Sequence, residues 1–250
     1  MAHQLANYVE RSFSDERVRK FEEHKQVEKT YESILNLIAD LFEGPLMTIQ
    51  DAIKDIKNIE HVDQINQIDE PVDRIFVSSE SLSRILENIS AMVNLNAGIT
   101  PVNRALHDLK ELITHGAERV KKTLSSYVWI VNIDDNLPLI PFDYDLIELL
   151  FYNLAFHAVE FALPDSTIEI QAKQMGDYVL MSISGEGQSI PLEMVDVAFE
   201  KFYRMSGTSK TGLGLGLAIA KTIAEVHNGE LKVTNRLKGG MIFSLYLPIA

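Results

Sequence analysis

From Met1 to Glu70 the chain carries glycine or proline at only two positions, Gly44 and Pro45. Val18, Phe21, Val27, Ile34, Leu37, Ile38 and Leu41 recur there at spacings of three, four and seven, the stripe of an amphipathic helix. A long helix tolerates the Gly44–Pro45 interruption as a kink, and Leu46, Ile49, Ile53 and Ile56 continue the period beyond it. Pro71 then stands in the first turn of a second helix, whose broad apolar face runs from Ile75 through Leu82, Ile85, Leu86, Ile89, Met92 and Val93 to Leu95, before Gly98 ends it. Two such helices cannot close a core alone. The economical solution is an antiparallel hairpin over residues 1–98 that dimerises into a four-helix bundle.

Beyond Thr100 the texture changes. Tyr127 to Ile133 is rich in β-formers, Tyr144 to Ala162 reads as a largely apolar helix, and Thr167 to Ala172 and Tyr178 to Ser184 read as paired strands around Gly176. Leu192 to Tyr203 and Leu215 to His227 are expected as helices, with a final hairpin of Glu230 to Asn235 and Met241 to Leu247 around Gly239 and Gly240. Strands and helices do not alternate one for one. The expected fold class is therefore α+β, with a helical hairpin first and an α/β sandwich over residues 99–250 carrying its helices on one face.

The most informative motif is Gly212-Leu-Gly-Leu-Gly-Leu-Ala-Ile219, which opens an expected helix. Glycines spaced this way let backbone N–H groups and a helix N-terminus approach an anion, although a lone run of this kind is equally a flexible loop. Upstream lies Phe199-Glu-Lys-Phe-Tyr-Arg204, and downstream His227-Asn-Gly229 and Gly239-Gly240. This combination resembles the ATP-binding domain of sensor histidine kinases, with a phenylalanine box, a short nucleotide lid and a second glycine box in that order. The resemblance runs back through Leu137-Pro-Leu139, Asp143 and Asp145, Pro101–Val102 and the helix after Ser81 to the region around Pro45. It covers nearly the whole chain and is closest in kind to the C-terminal half of KdpD-type sensors.

The resemblance implies ATP with Mg²⁺ as cofactor and a phosphoacceptor histidine five residues before the hairpin proline. Asp40 stands at that catalytic position and Leu41 at that of the general base, so neither role is retained. An imidazole offers a lone pair near neutral pH, and a carboxylate does not replace it without metal and cationic support. In the asparagine box Asn153 is retained, but His157 replaces the asparagine that would ligate Mg²⁺, and imidazole is a poorer partner for that oxygen-seeking ion. In the first glycine box Gly185-Glu-Gly187 lacks the aspartate that would accept from the adenine amino group, and Glu186 is one residue off. The remaining nucleotide-binding candidates are Asn153, His157, Gly187, Lys201, Arg204, Lys210, Gly212, Gly214 and Gly216; no residue set is assigned to a metal. His107, in Leu106-His-Asp-Leu-Lys110, imitates a phosphoacceptor motif but follows Pro101–Val102, where the family begins a domain helix, and is expected to face solvent on that helix.

Three lesions, at acceptor, metal and adenine positions, argue against autophosphorylation. The expected function is a degenerate, pseudokinase-like sensor of a two-component system, a homodimeric scaffold that binds a response regulator or a partner kinase through the hairpin around Asp40. The alternatives are an active histidine kinase with unusual motifs, and a regulatory module holding another ligand in the old ATP cleft. A formal charge of −13 opposes binding of nucleic acid or an anionic lipid surface. The absence of cysteine excludes disulfides and thiolate metal sites. No apolar run approaches the roughly 20 residues of a membrane span, so this chain is expected to be cytoplasmic, as the end of a longer membrane-anchored sensor, without inserting itself.

Overall fold

The computed structural model describes residues 38–39, 41–58, 68–97, 101–201, 203 and 214–250. Residues 41–57 form the first helix, α1, which runs through Gly44 and Pro45. The second, α2, spans Asp69–Ala97 and opens with Asp69 and Glu70, acidic side chains that complement the positive end of the helix. Arg74 near the start of α2 pairs with Asp55 near the end of α1.

The rest of the described chain is mixed. A short strand β1 (Ala105–His107) pairs antiparallel with β3 (Ile140–Phe142). Five strands form one sheet in the order β2-β4-β5-β7-β6: β2 (Val128–Ile133), β4 (Thr167–Met175), β5 (Tyr178–Gly185), β7 (Met241–Pro248) and β6 (Glu230–Asn235). Only the β2–β4 pairing in this sheet is parallel. Burial alternates along the strands, so that Ile168, Ile170, Val179, Met181, Ile183, Phe243 and Leu245 line one face. Three helices cover that face: α3 (Leu109–Thr123), α4 (Tyr144–Glu160) and α5 (Gly216–Val226). The α+β class is as expected.

Each helix has a local cause. Asp108 caps α3 by accepting from the Lys110 N–H at 2.8 Å, and Asp143 caps α4 through the Leu146 N–H. α4 is apolar around most of its circumference because the sheet and α3 cover part of it and α2 and α5 the rest. α5 ends where Asn228 adopts a left-handed conformation (φ 57°) and the Gly229 N–H returns to the Ala224 carbonyl.

Two expectations need correction. Leu192 to Tyr203 is not a regular helix but two single 3-10 turns, Leu192–Met194 and Val197–Phe199. Leu192 is 82% exposed, and of the residues of these turns Ala198 is buried while Phe199 is only partly so. His107 lies on β1 rather than on a helix, half-buried, with its ring 5.1 Å from Phe142 and 5.6 Å from Tyr144. The helix begins only after the Asp108 cap.

Candidate functional site

α4 brings the asparagine-box residues to the side of the helix that faces α2 and α5. Asn153 is fully buried among apolar neighbours, where a carboxamide is costly unless its polar atoms are paired. Its partner is Asn88 of α2. The Asn88 Nδ2 donates to Asn153 Oδ1 at 3.1 Å, and the Asn153 Nδ2 donates back to Asn88 Oδ1 at 2.7 Å.

One turn further along α4, His157 stacks on Phe161 with ring planes 18° apart. Its Nδ1 lies 3.1 Å from Glu160 Oε2 but forms no well-aligned hydrogen bond. The first residue of α5, Gly216, sits directly over this pair: a Cβ there would stand 2.9 Å from His157 Nε2 and 3.0 Å from Asn153 Oδ1. Only glycine allows α5 to start so close to α4. Gly214, just before it, uses the left-handed region with φ 63°. The structure therefore brings Asn153, His157 and Gly216 together, with Gly214 two residues before Gly216. Lys201 lies nearby, lining with Met92 and Leu95 of α2 and Leu215, Ile219 and Thr222 of α5 a hollow of about 10 Å³. Asp40, Arg204, Lys210 and Gly212 lie outside the described residues.

At the first glycine box the backbone itself is packed. Gly185 ends β5, and a Cβ on it would meet the Ala158 carbonyl oxygen and Ile168 Cδ1, each at 2.9 Å. No aspartate fits there while α4 and β5 keep this spacing. Gly187 forms a bridge with Ala162, and a Cβ on it would lie 2.0 Å from the Phe161 carbonyl oxygen. The Gln188 N–H donates to that oxygen at 2.9 Å, and the Leu163 N–H donates to the Glu186 carbonyl at 2.8 Å. The loop after β5 is thus stitched to the end of α4. The Glu186 carboxylate points away from this contact, to Arg236 at 3.5 Å.

Two residues at this site escape motif reading. Asn88 interrupts the apolar face of α2 between Ile85 and Met92, and that interruption is the signal from which it could be found. Arg84, one turn earlier, stands in the Ser81-Leu-Ser-Arg84 stretch of the resemblance without a role read from it, and lays its guanidinium 4.1 Å over the Phe156 ring. Burial lowers the Arg84 pKa from its ordinary value, while the Glu160 and Glu87 carboxylates oppose that shift. Beside it Tyr152 has its phenol pushed up to about 12, first by burial and then by Glu148. Below α5, His227 is 2% exposed. Its Nε2 accepts from the Asp143 N–H at 2.9 Å and its Nδ1–H donates to the Ile223 carbonyl at 2.7 Å, so the ring is neutral with the proton on Nδ1. Burial holds its pKa below the ordinary histidine value.

Comparison with known proteins places this architecture. Residues 142–250 match the family described as Histidine kinase-, DNA gyrase B-, and HSP90-like ATPase. The chain is 28% identical to the sensor protein KdpD of Clostridium acetobutylicum over 98% of its own length, and it spans 28% of that protein. Among solved structures it is similar to the mycobacterial sensor histidine kinase MprB, at 25% identity and a TM-score of 0.52, over 58% of this chain and 97% of that one. The fold is also that of histidine kinase ThkA, solved in complex with the response regulator protein TrrA, at 19% identity and a TM-score of 0.59, over 92% of this chain and 66% of that one. Residues 142–250 form a domain of the type described as Histidine kinase-, DNA gyrase B-, and HSP90-like ATPase, and the chain is similar in sequence and fold to the cores of sensor histidine kinases.

Proposed function

We propose that this chain is a degenerate sensor kinase of a two-component system, a homodimeric scaffold that has kept the kinase shape without phosphoryl transfer. The observation that carries this reading is the packing of Gly185 against Ala158 and Ile168. It removes the adenine-binding carboxylate and the space for one together. As arranged, these residues do not fit ATP with Mg²⁺: the Asn153 amide is engaged at both ends by Asn88, and histidine stands at the metal-ligating position. Phosphoryl transfer depends almost entirely on positioning and charge stabilisation around the phosphates, so loss of the nucleotide seat removes the reaction.

The domains of this reading are the hairpin over residues 1–98 and the ATPase-type domain over 99–250. Dimerisation is supported by the apolar residues that α2 leaves outside: Val72, Phe76, Leu86 and Val93 are each about half exposed. They follow one heptad-like line, which a second copy of the hairpin covers in a four-helix bundle. ThkA is seen with a response regulator, and by analogy the hairpin around Asp40 docks a regulator or a partner kinase here, with Asp40 presenting a fixed negative charge. Among the described residues no helix is long and apolar enough to cross a membrane; the chain is read as the cytoplasmic end of a longer sensor.

The test is incubation of the purified chain and its Asp40→His variant with γ-labelled ATP and Mg²⁺. Neither is expected to carry label, because restoring the acceptor leaves the nucleotide seat closed. Label on the variant would restore the reading as an active kinase.

A further inference from the structure

One stripe of α2 runs along the side of the site formed by α4 and α5. Arg84, Asn88, Met92 and Leu95 lie along one stripe of α2, at spacings of four, four and three. The stripe meets α4 first and α5 next. Arg84 covers the Phe156 ring, and Asn88 exchanges two hydrogen bonds with Asn153. Met92 and Leu95 reach the wall formed by Leu215 and Ile219. The first two contacts are one turn apart on both helices and run in opposite directions, so they fix the register of α2 on α4. A slip of one residue would unpair two buried amides, of which Asn153 is fully buried and Asn88 is 7% exposed.

We propose that α2 is the resident ligand of the former nucleotide site. Asn88 takes the place on Asn153 that an external ligand would take, and Arg84 covers the Phe156 ring one turn away. Hairpin and sheet domain then move as one body, and a partner meets a single fixed composite surface. This deepens the scaffold reading, on which it rests, by naming a segment of the same chain as the occupant. It depends on the Asn88–Asn153 pair, whereas the scaffold reading depends on Gly185.

A double-mutant cycle on the full chain tests it, with Asn88→Ala, Asn153→Ala and the double variant followed by urea unfolding and by hydrogen exchange of residues 84–92 and 149–158. Each single variant leaves one buried amide unpaired and is expected to raise the unfolding equilibrium constant roughly 10-fold or more, while the double costs no more than either single. Exchange in 84–92 is expected to rise in Asn153→Ala as well as in Asn88→Ala. Should a single variant fail to fold, replacing both partners (Asn88→Leu with Asn153→Leu) is expected to recover a folded chain, since two apolar groups leave nothing unpaired. Additive losses, with exchange changed only in the substituted helix, would overturn the proposal.

Titration of the unaltered chain with Mg²⁺ and ATP separates the two readings. Binding that raises exchange in 84–92 would refute the closed cleft and support α2 as a displaceable occupant. Binding that leaves that exchange unchanged would refute both. Absence of binding together with additive losses would refute the resident-ligand proposal alone.

Discussion

Placing the missing adenine-binding carboxylate back into this chain should break the fold locally rather than repair the site. In Gly185→Ala the new Cβ falls 2.9 Å from the Ala158 carbonyl oxygen and 2.9 Å from Ile168 Cδ1. The first of these neighbours is backbone, fixed within α4, and cannot turn away. Overpacking of this kind costs about 1–3 kcal/mol, which for a chain of this size lowers the melting temperature by roughly 2–12 °C. Gly185→Asp adds a buried carboxylate facing the Ala158 carbonyl oxygen and is expected to lose about 2 kcal/mol more. Thermal unfolding monitored by far-ultraviolet circular dichroism, with calorimetric titration against ATP, reads both effects. A Gly185→Asp variant that melts with the parent and binds ATP would refute the reasoning, because α4 and β5 would then have to separate at no cost.

Other perturbations probe the same frame. Gly216→Ala pushes a methyl into His157 Nε2 and Asn153 Oδ1, at 2.9 and 3.0 Å, and should cost about 2 kcal/mol; adding His157→Ala should recover part of it, and a loss unchanged by the second substitution would show that the contact is not the cause. His227→Ala leaves the Asp143 N–H and the Ile223 carbonyl without their partner, an expected loss of about 2–3 kcal/mol in urea unfolding; a loss below about 0.5 kcal/mol would contradict the buried pairing. Because the folded-state pKa of His227 lies below its ordinary 6.5, the unfolded chain binds the extra proton first. The stability contributed by this residue is therefore complete above about pH 6.5 and falls away as the pH drops through the folded-state pKa. His227→Gln should flatten that acid limb, and an unchanged slope would exclude His227 as its source. Charged substitutions at Phe76 and Leu86 should give monomers by light scattering, and dimers that persist would reject the bundle.

Much of the architecture is legible in the chain because it is written in local signals. α2 declares itself through Pro71 and a long apolar stripe, α5 through Gly214 before it and Asn228-Gly229 after it, and the β6–β7 hairpin through Gly239-Gly240. The segment after Pro191 misleads because its apolar residues suggest a helix, while Leu192 stays exposed and Val195, Ala198 and Phe199 reach the core from two short 3-10 turns. His107 misleads because the cap at Asp108 delays α3; the preceding residues pair with Ile140–Phe142, a contact between distant parts of the chain. At the site, Asn153, His157 and Gly216 are each visible as motif positions, while their mutual contact depends on the packing of α5 on α4. The Asn88 partnership spans 65 positions in sequence, and no motif couples its ends. Gly185 is visible as a missing aspartate, but that its hydrogen stands against the Ala158 carbonyl emerges only when α4 and β5 are set side by side.

The most direct test is isothermal calorimetry of the unaltered chain with a non-hydrolysable ATP analogue, with and without Mg²⁺, at millimolar ligand. A closed cleft predicts no saturable heat under either condition. A saturable, Mg²⁺-dependent isotherm with micromolar affinity would contradict it, and would require α4, α5 and the loop after β5 to open around the nucleotide.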